Sequence, residues 1–177
     1  MHHYQDLIDI FNDCFSKEYN TQLIKGLDEP IYLPADETRP FHALFFANGF
    51  FASALHECSH WLIAGDKRRV QVDFGYWYVP DGRTADQQKL FQQVEVKPQA
   101  IEWILSVASG YRFHLSLDNL SGDGFDLDAF KNAVYNQVKT YCEEGISIRA
   151  DLFRQALCKF YKTPLSLKIE DFDFGAL

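Results

Sequence analysis

The chain has no long apolar run, no paired cysteines and no excess of basic residues. No stretch approaches the roughly 20 residues that a membrane-spanning helix requires, because His56, Glu57 and His60 interrupt the longest one, Phe50 to Ala64. Cys14, Cys58, Cys142 and Cys158 form no C-x-x-C pair, which argues against a zinc ribbon or a dithiol redox motif. They are expected to be reduced thiols. The N-terminus carries Asp6, Asp9 and Asp13 where a secretory signal would need basic and then apolar residues, so a soluble cytoplasmic protein is expected. The formal charge of −8 argues against an electrostatic grip on bare nucleic acid. The cluster Lys67-Arg68-Arg69 reads either as a seat for an anionic partner or as a solvated turn. Linkers and internal repeats are absent too, so a single domain over residues 1–177 is expected, and 47 % apolar residues are enough for a core.

What the chain does have is His56-Glu57-Cys58-Ser59-His60 inside an apolar stretch. Residues four apart on a helix are neighbours on one face, about 5–6 Å apart at Cβ, so both imidazoles can reach one ion. A helix over roughly Asn48 to Ala64 would turn Phe51, Ala54, Leu55, Cys58 and Leu62 to a core. Gly49 and Ser53, on the histidine side, would leave open space beside the ion, as a catalytic site needs. Gly65 would end the helix.

The remaining pattern is of mixed type. Leu7, Ile10, Phe11, Cys14 and Phe15 predict a helix from about Tyr4 to Lys25, with a break near Tyr19-Asn20, stopped by Gly26. Pro30 to Pro34 reads as an edge strand or a loop crossing, and Phe41 to Phe46 as a strand. Val70, Val72, Phe74, Tyr76 and Tyr78 alternate with Gln71, Asp73, Gly75 and Trp77, the period of a strand. Thr84 to Gln93 reads as a short helix or loop, and Pro98 as the first turn of a helix ended by Gly110. Asp118 to Gly124 has the early spacing of a calcium loop, but Phe130 stands where the bidentate Glu belongs, leaving a turn-rich loop. Helices over about Asp128 to Glu144 and Arg149 to Tyr161 complete an α+β fold, several helices on a small mixed sheet.

Two histidines need a third ligand. Asp66, six residues after His60, has the offset of a ligand returned by a helix-ending turn, but that arrangement wants Gly at the position of Ile63. Glu95 sits between Val94 and Val96, where a carboxylate is costly to bury without a partner, and is preferred. Glu102 is a further candidate; His114 and His42 are weaker ones. Two His and a carboxylate serve opposite chemistries. With zinc, Glu57 would act as general base in a hydrolase, a peptidase or a ribonuclease. With Fe(II), the open positions would take O₂ and substrate. A binding module with a structural metal is the third reading.

The runs Leu23-Ile24-Lys25-Gly26, Glu29 to Ala35, His56-Glu57-x-Ser59-His60-Trp61, Asp73 to Tyr78, Pro80-Asp81-Gly82-Arg83 and Val94 to Ala100 resemble the bacterial elongation factor P hydroxylase family over nearly the whole chain. The resemblance implies an Fe(II)-type 2-His-1-carboxylate site that uses O₂ to hydroxylate the β-lysyl-modified lysine of elongation factor P. It implies His56 and His60 as ligands, with Glu95 inside a matching motif. A long cationic substrate calls for carboxylates and aromatic faces, which Asp73, Tyr76 and Tyr78, with Trp77, are placed to offer. Glu57 would then orient a ligand or bind the substrate ammonium.

Overall fold

The computed structural model describes residues 2–26, 28–72, 85–116 and 126–177. Side chains of residues 85–91 and 176 are outside that description. Helix α1 (Tyr4–Phe15) buries Leu7, Ile10, Phe11 and Phe15 along one stripe. The helix expected to reach Lys25 stops ten residues short of it. Asn20 takes a left-handed φ of 47°, its side chain donates to Pro40 O at 2.8 Å, and Thr21–Lys25 continues as strand β1. Thr21 and Leu23 alternate inward there, and Asn12 Oδ1 on α1 accepts from the Leu23 amide at 2.8 Å.

Strands β2 (Ile31–Leu33) and β3 (His42–Phe46) complete a three-stranded mixed sheet among the described residues, in the order β1-β3-β2. β1 pairs parallel with β3, Thr21 opposite His42, and β2 pairs antiparallel, Ile31 opposite Phe45. The proline-flanked segment therefore lies at an edge, where missing amide donors cost least.

Asn48 and Gly49, both at positive φ, turn the chain from β3 into helix α2 (Phe51–Ile63). Gly49 faces α1 and β1, not the histidine side: a Cβ there would stand 2.9 Å from Lys25 Cε. Ser53 is occupied as well, accepting from the Ala47 amide at 3.1 Å. The expectation that these two small residues open space beside the ion is corrected. Helix α2 ends through Ala64, in extended conformation, rather than through Gly65.

Helix α3 (Ala85–Ser109) runs through Pro98. The expected boundary there is corrected: the segments taken as a short helix or loop and a second helix are one element. Pro98 has no N–H for the carbonyl of Val94, a local loss that the packing of α3 against α2, α4 and α5 outweighs. Helices α4 (Leu127–Glu144) and α5 (Ile148–Tyr161) follow the expected boundaries within a residue, each capped by a side chain, Asp126 and Ser147 respectively. Val70 lies in the turn after α2, Val72 just past the bend at Gln71, and both are exposed, so the alternating segment is no strand at its start. Its remainder, and the loop at 118–124, lie outside the described residues. Among the described residues, five α-helices on a small mixed sheet make the α+β class, and no helix is long and apolar enough to cross a membrane.

Candidate metal centre

Phe51, Ala54, Leu55, Cys58 and Leu62 of α2 are buried as their spacing predicts, and the same helix turns His56 and His60 toward α3. Across from the histidines, α3 offers Glu95, Gln99 and Glu102. Spacings of four and three put these residues on one face of a continuous helix, and their exposures are 2, 1 and 5 %. A buried polar stripe on one helix thus faces a histidine pair on the other.

The ligand atoms of His56, His60 and Glu95 lie within 4.8 Å of one another. The two Nε2 atoms are 3.2 Å apart. His60 Nε2 lies 3.4 Å from Glu95 Oε1, and His56 Nε2 lies 3.8 Å from Glu95 Oε2. A divalent ion about 2.1 Å from each donor, at angles near 90–110°, would separate the donors by about 3.0–3.4 Å. The triangle fits an ion with small adjustments at one edge. Two imidazoles and one carboxylate on one side are also the donor set of a non-haem iron face or of an open zinc site.

The surrounding bonds aim these donors. His56 Nδ1–H donates to Glu102 Oε2 at 2.8 Å, which fixes Nε2 as the atom turned to the centre. Gln99 donates to Glu95 Oε2 at 3.5 Å and to Ser116 O at 2.9 Å, while its own oxygen accepts from the Ser116 amide at 3.0 Å. Glu102, weighed from the sequence as a rival ligand, instead supports His56. Asp66 is 94 % exposed and pairs with Arg69, so the turn does not return it to the centre. His114 is exposed, and His42 accepts from the Ala35 amide at 3.0 Å on the sheet. Asp73, Tyr76 and Tyr78, the expected substrate contacts, lie outside the described residues.

Charge in the metal-free protein is divided unevenly. Burial pushes the His56 pKa down, but the charge and hydrogen bond of Glu102, with the charges of Glu57 and Glu95, outweigh it and raise the group to about 10. Burial, then the charges of His56 and Arg68, hold His60 well below the ordinary imidazole range. One imidazole carries a proton where an ion's charge would otherwise sit. Glu57 is 4 % exposed and contributes to a cavity of about 260 Å³ beside His60. The basic cluster is not simply solvated either: Arg69 donates to Ala64 O at 2.8 Å, beyond the end of α2, and both Arg68 and Arg69 contribute to that cavity.

The stripe on α3 was the feature hardest to see in the sequence. Its signal was there, polar residues at 95, 99 and 102 flanked by apolar ones, but it emerges only if the helix is carried through Pro98.

Residues 10–172 match the family model described as elongation factor P hydroxylase. The chain is 55 % identical over 172 residues to the elongation factor P lysine hydroxylase of Haemophilus influenzae, covering 97 % of each. With a match along almost its full length, and a helix pair built for two imidazoles and a carboxylate, the chain belongs to the elongation factor P hydroxylase family.

Proposed function

We propose that the chain, acting as one unit over residues 1–177, hydroxylates elongation factor P, and that its target is the β-lysyl-modified lysine. The observation that carries this reading is the His56, His60 and Glu95 cluster within a chain of this family. These three residues would hold Fe(II) on one side. When bound, the ion supplies the site for O₂ activation. One oxygen atom enters a C–H bond of the substrate and the other leaves as water, with two electrons and two protons drawn from an external donor.

The chain's own residues supply position and charge. Glu102 holds the His56 ring through Nδ1–H, Gln99 holds Glu95, and the apolar face of α2 anchors both histidines to the core. Glu57, buried beside His60, is a charge partner for a cationic substrate rather than a hydrolytic base. Modification of a translation factor places the enzyme in the cytoplasm, as an oxidoreductase of the monooxygenase type.

The test is mass spectrometry of lysylated elongation factor P incubated with the iron-loaded protein, a reductant and air. Wild type adds the mass of one oxygen atom; His56→Ala and Glu95→Ala add none. Gain of oxygen with Glu95→Ala would remove that ligand. No gain with wild type, together with a hydrolytic rate that Glu57→Gln abolishes, would replace the reading by a zinc hydrolase.

A further inference from the structure

The cavity next to His60 has a buried end and an exposed end. Glu57, Tyr32 and Trp61, at 4, 7 and 3 % exposure, are its buried lining residues. Gly65 is exposed and Val94 is 42 % exposed, one just past α2 and the other on α3, so the cavity lining reaches the surface at both. At about 260 Å³ it falls below the roughly 300–1,000 Å³ of sites that enclose a free drug-sized molecule. That size suits one extended side chain.

We propose that this cavity is the channel by which the substrate's aliphatic side chain reaches the metal centre, with the Glu57 carboxylate receiving its terminal ammonium; this rests on the hydroxylase reading above. The walls match the occupant. Methylene groups gain from leaving water between Tyr32, Trp61, Val94 and Pro98. Glu57 is the one carboxylate among the described lining residues, and it shares helix α2 with His60, three residues away. Arg68 and Arg69 also contribute to the cavity. They disfavour an ammonium beside them, which leaves Glu57 as the favourable partner for the chain end among the described lining residues. The occupant is therefore a long side chain with methylene segments and a cationic end, delivered by a protein partner.

Gly65 gives a clean way to close the channel, because a Cβ built there meets nothing within 4 Å. Gly65→Phe and Val94→Trp add bulk to the lining from two different elements, and Leu165→Trp, at a 59 % exposed site that does not line the cavity, is the control. Calorimetry reads binding of lysylated elongation factor P to the zinc-loaded protein, steady-state assays of the iron-loaded protein read KM and kcat, and melting curves check folding. Both filling variants are expected to weaken binding and raise KM by about tenfold or more, with metal content and melting temperature unchanged. Glu57→Gln is expected to raise KM while kcat stays within a few-fold, and to reduce the preference for the lysylated over the unmodified factor.

Wild-type KM and binding in both filling variants would overturn the channel while leaving the hydroxylase reading intact. Unchanged KM and unchanged preference in Glu57→Gln would overturn the role given to its carboxylate. A wild-type protein that neither binds nor hydroxylates the factor would overturn the hydroxylase reading, and the channel with it.

Discussion

Helix α2 packs on two sides that obey opposite rules. Toward α1 and α5 it meets a core of rings: Phe11 lies 5.2 Å from Trp61, and Phe153 lies 5.5 Å from Phe11, both edge to face. That side gains from removing apolar surface from water, and it needs no ligand to be stable. Toward α3 the same helix sets the partly exposed His56 and His60 against the buried Glu95, Gln99 and Glu102. Burying carboxylates is unfavourable unless something compensates their charge. In the metal-free protein a proton on His56 does so; a divalent ion would do it better. The apolar side holds the helix in place, and the polar side spends that stability on chemistry.

The sharpest way to break the comparison is to remove one residue from each side. His60→Ala should bring oxygen transfer down to background and strip the protein of bound metal, with little loss in melting temperature, as read by mass spectrometry and metal analysis. Phe153→Ala removes a fully buried ring between α5 and α1. It should cost about 3–5 kcal/mol, lowering the melting temperature by about 10 °C while leaving metal affinity unchanged. If the phenylalanine variant lost metal, or the histidine variant unfolded, the two sides would not be separable.

The apolar side was far more legible in the sequence than the polar one. Leu7, Phe11, Phe15, Leu55, Cys58 and Leu62 repeat at three and four, and burial follows that spacing. Thr21–Lys25 escaped the same reasoning because five residues are too few to show alternation, and because a parallel partner, β3, lies 21 positions away in the chain. The histidines were legible as a local motif. Their supports were not, since proline rules ended a helix at Pro98 that tertiary packing continues. With that boundary, Glu95 fell in a loop and Glu102 on a helix, and they looked like competitors for one role. On a continuous helix they are two turns apart on one face, one at the centre and one behind His56.

Glu102→Gln sharpens the polar side without emptying it. The amide keeps the size of the carboxyl group but loses the charge that orients and enriches the His56 ring. Metal affinity should fall about 10–100-fold, a smaller effect than loss of a ligand, measured by competition with a chromophoric chelator. An unchanged affinity would reduce Glu102 to a space-filling role.

The smallest effect is in the pH dependence of the metal-free protein, and here the two histidines oppose each other. His56 has a folded pKa of about 10, above its ordinary value of 6.5, so its stabilisation is complete below about pH 6.5 and is lost as pH rises toward 10. His60 is depressed, so its contribution is present above about pH 6.5 and is lost as pH falls through its lower folded value. Melting temperature of the chelated protein should therefore peak near pH 6.5 and decline on both sides, as followed by calorimetry between about pH 5.5 and pH 9.5. Added metal displaces the proton on His56 Nε2, so it should flatten the decline up to about pH 8.5, above which the buried Cys58 thiol adds a loss of its own. Glu102→Gln should weaken that decline in the chelated protein too, because the carboxylate that raises His56 most is gone. The same curve measured for Phe153→Ala should be shifted down as a whole but keep its shape, since Phe153 packs on Phe11 and Phe15, away from His56 and His60. A flat alkaline limb in the chelated wild type would mean that the buried carboxylates are neutralised by something other than His56.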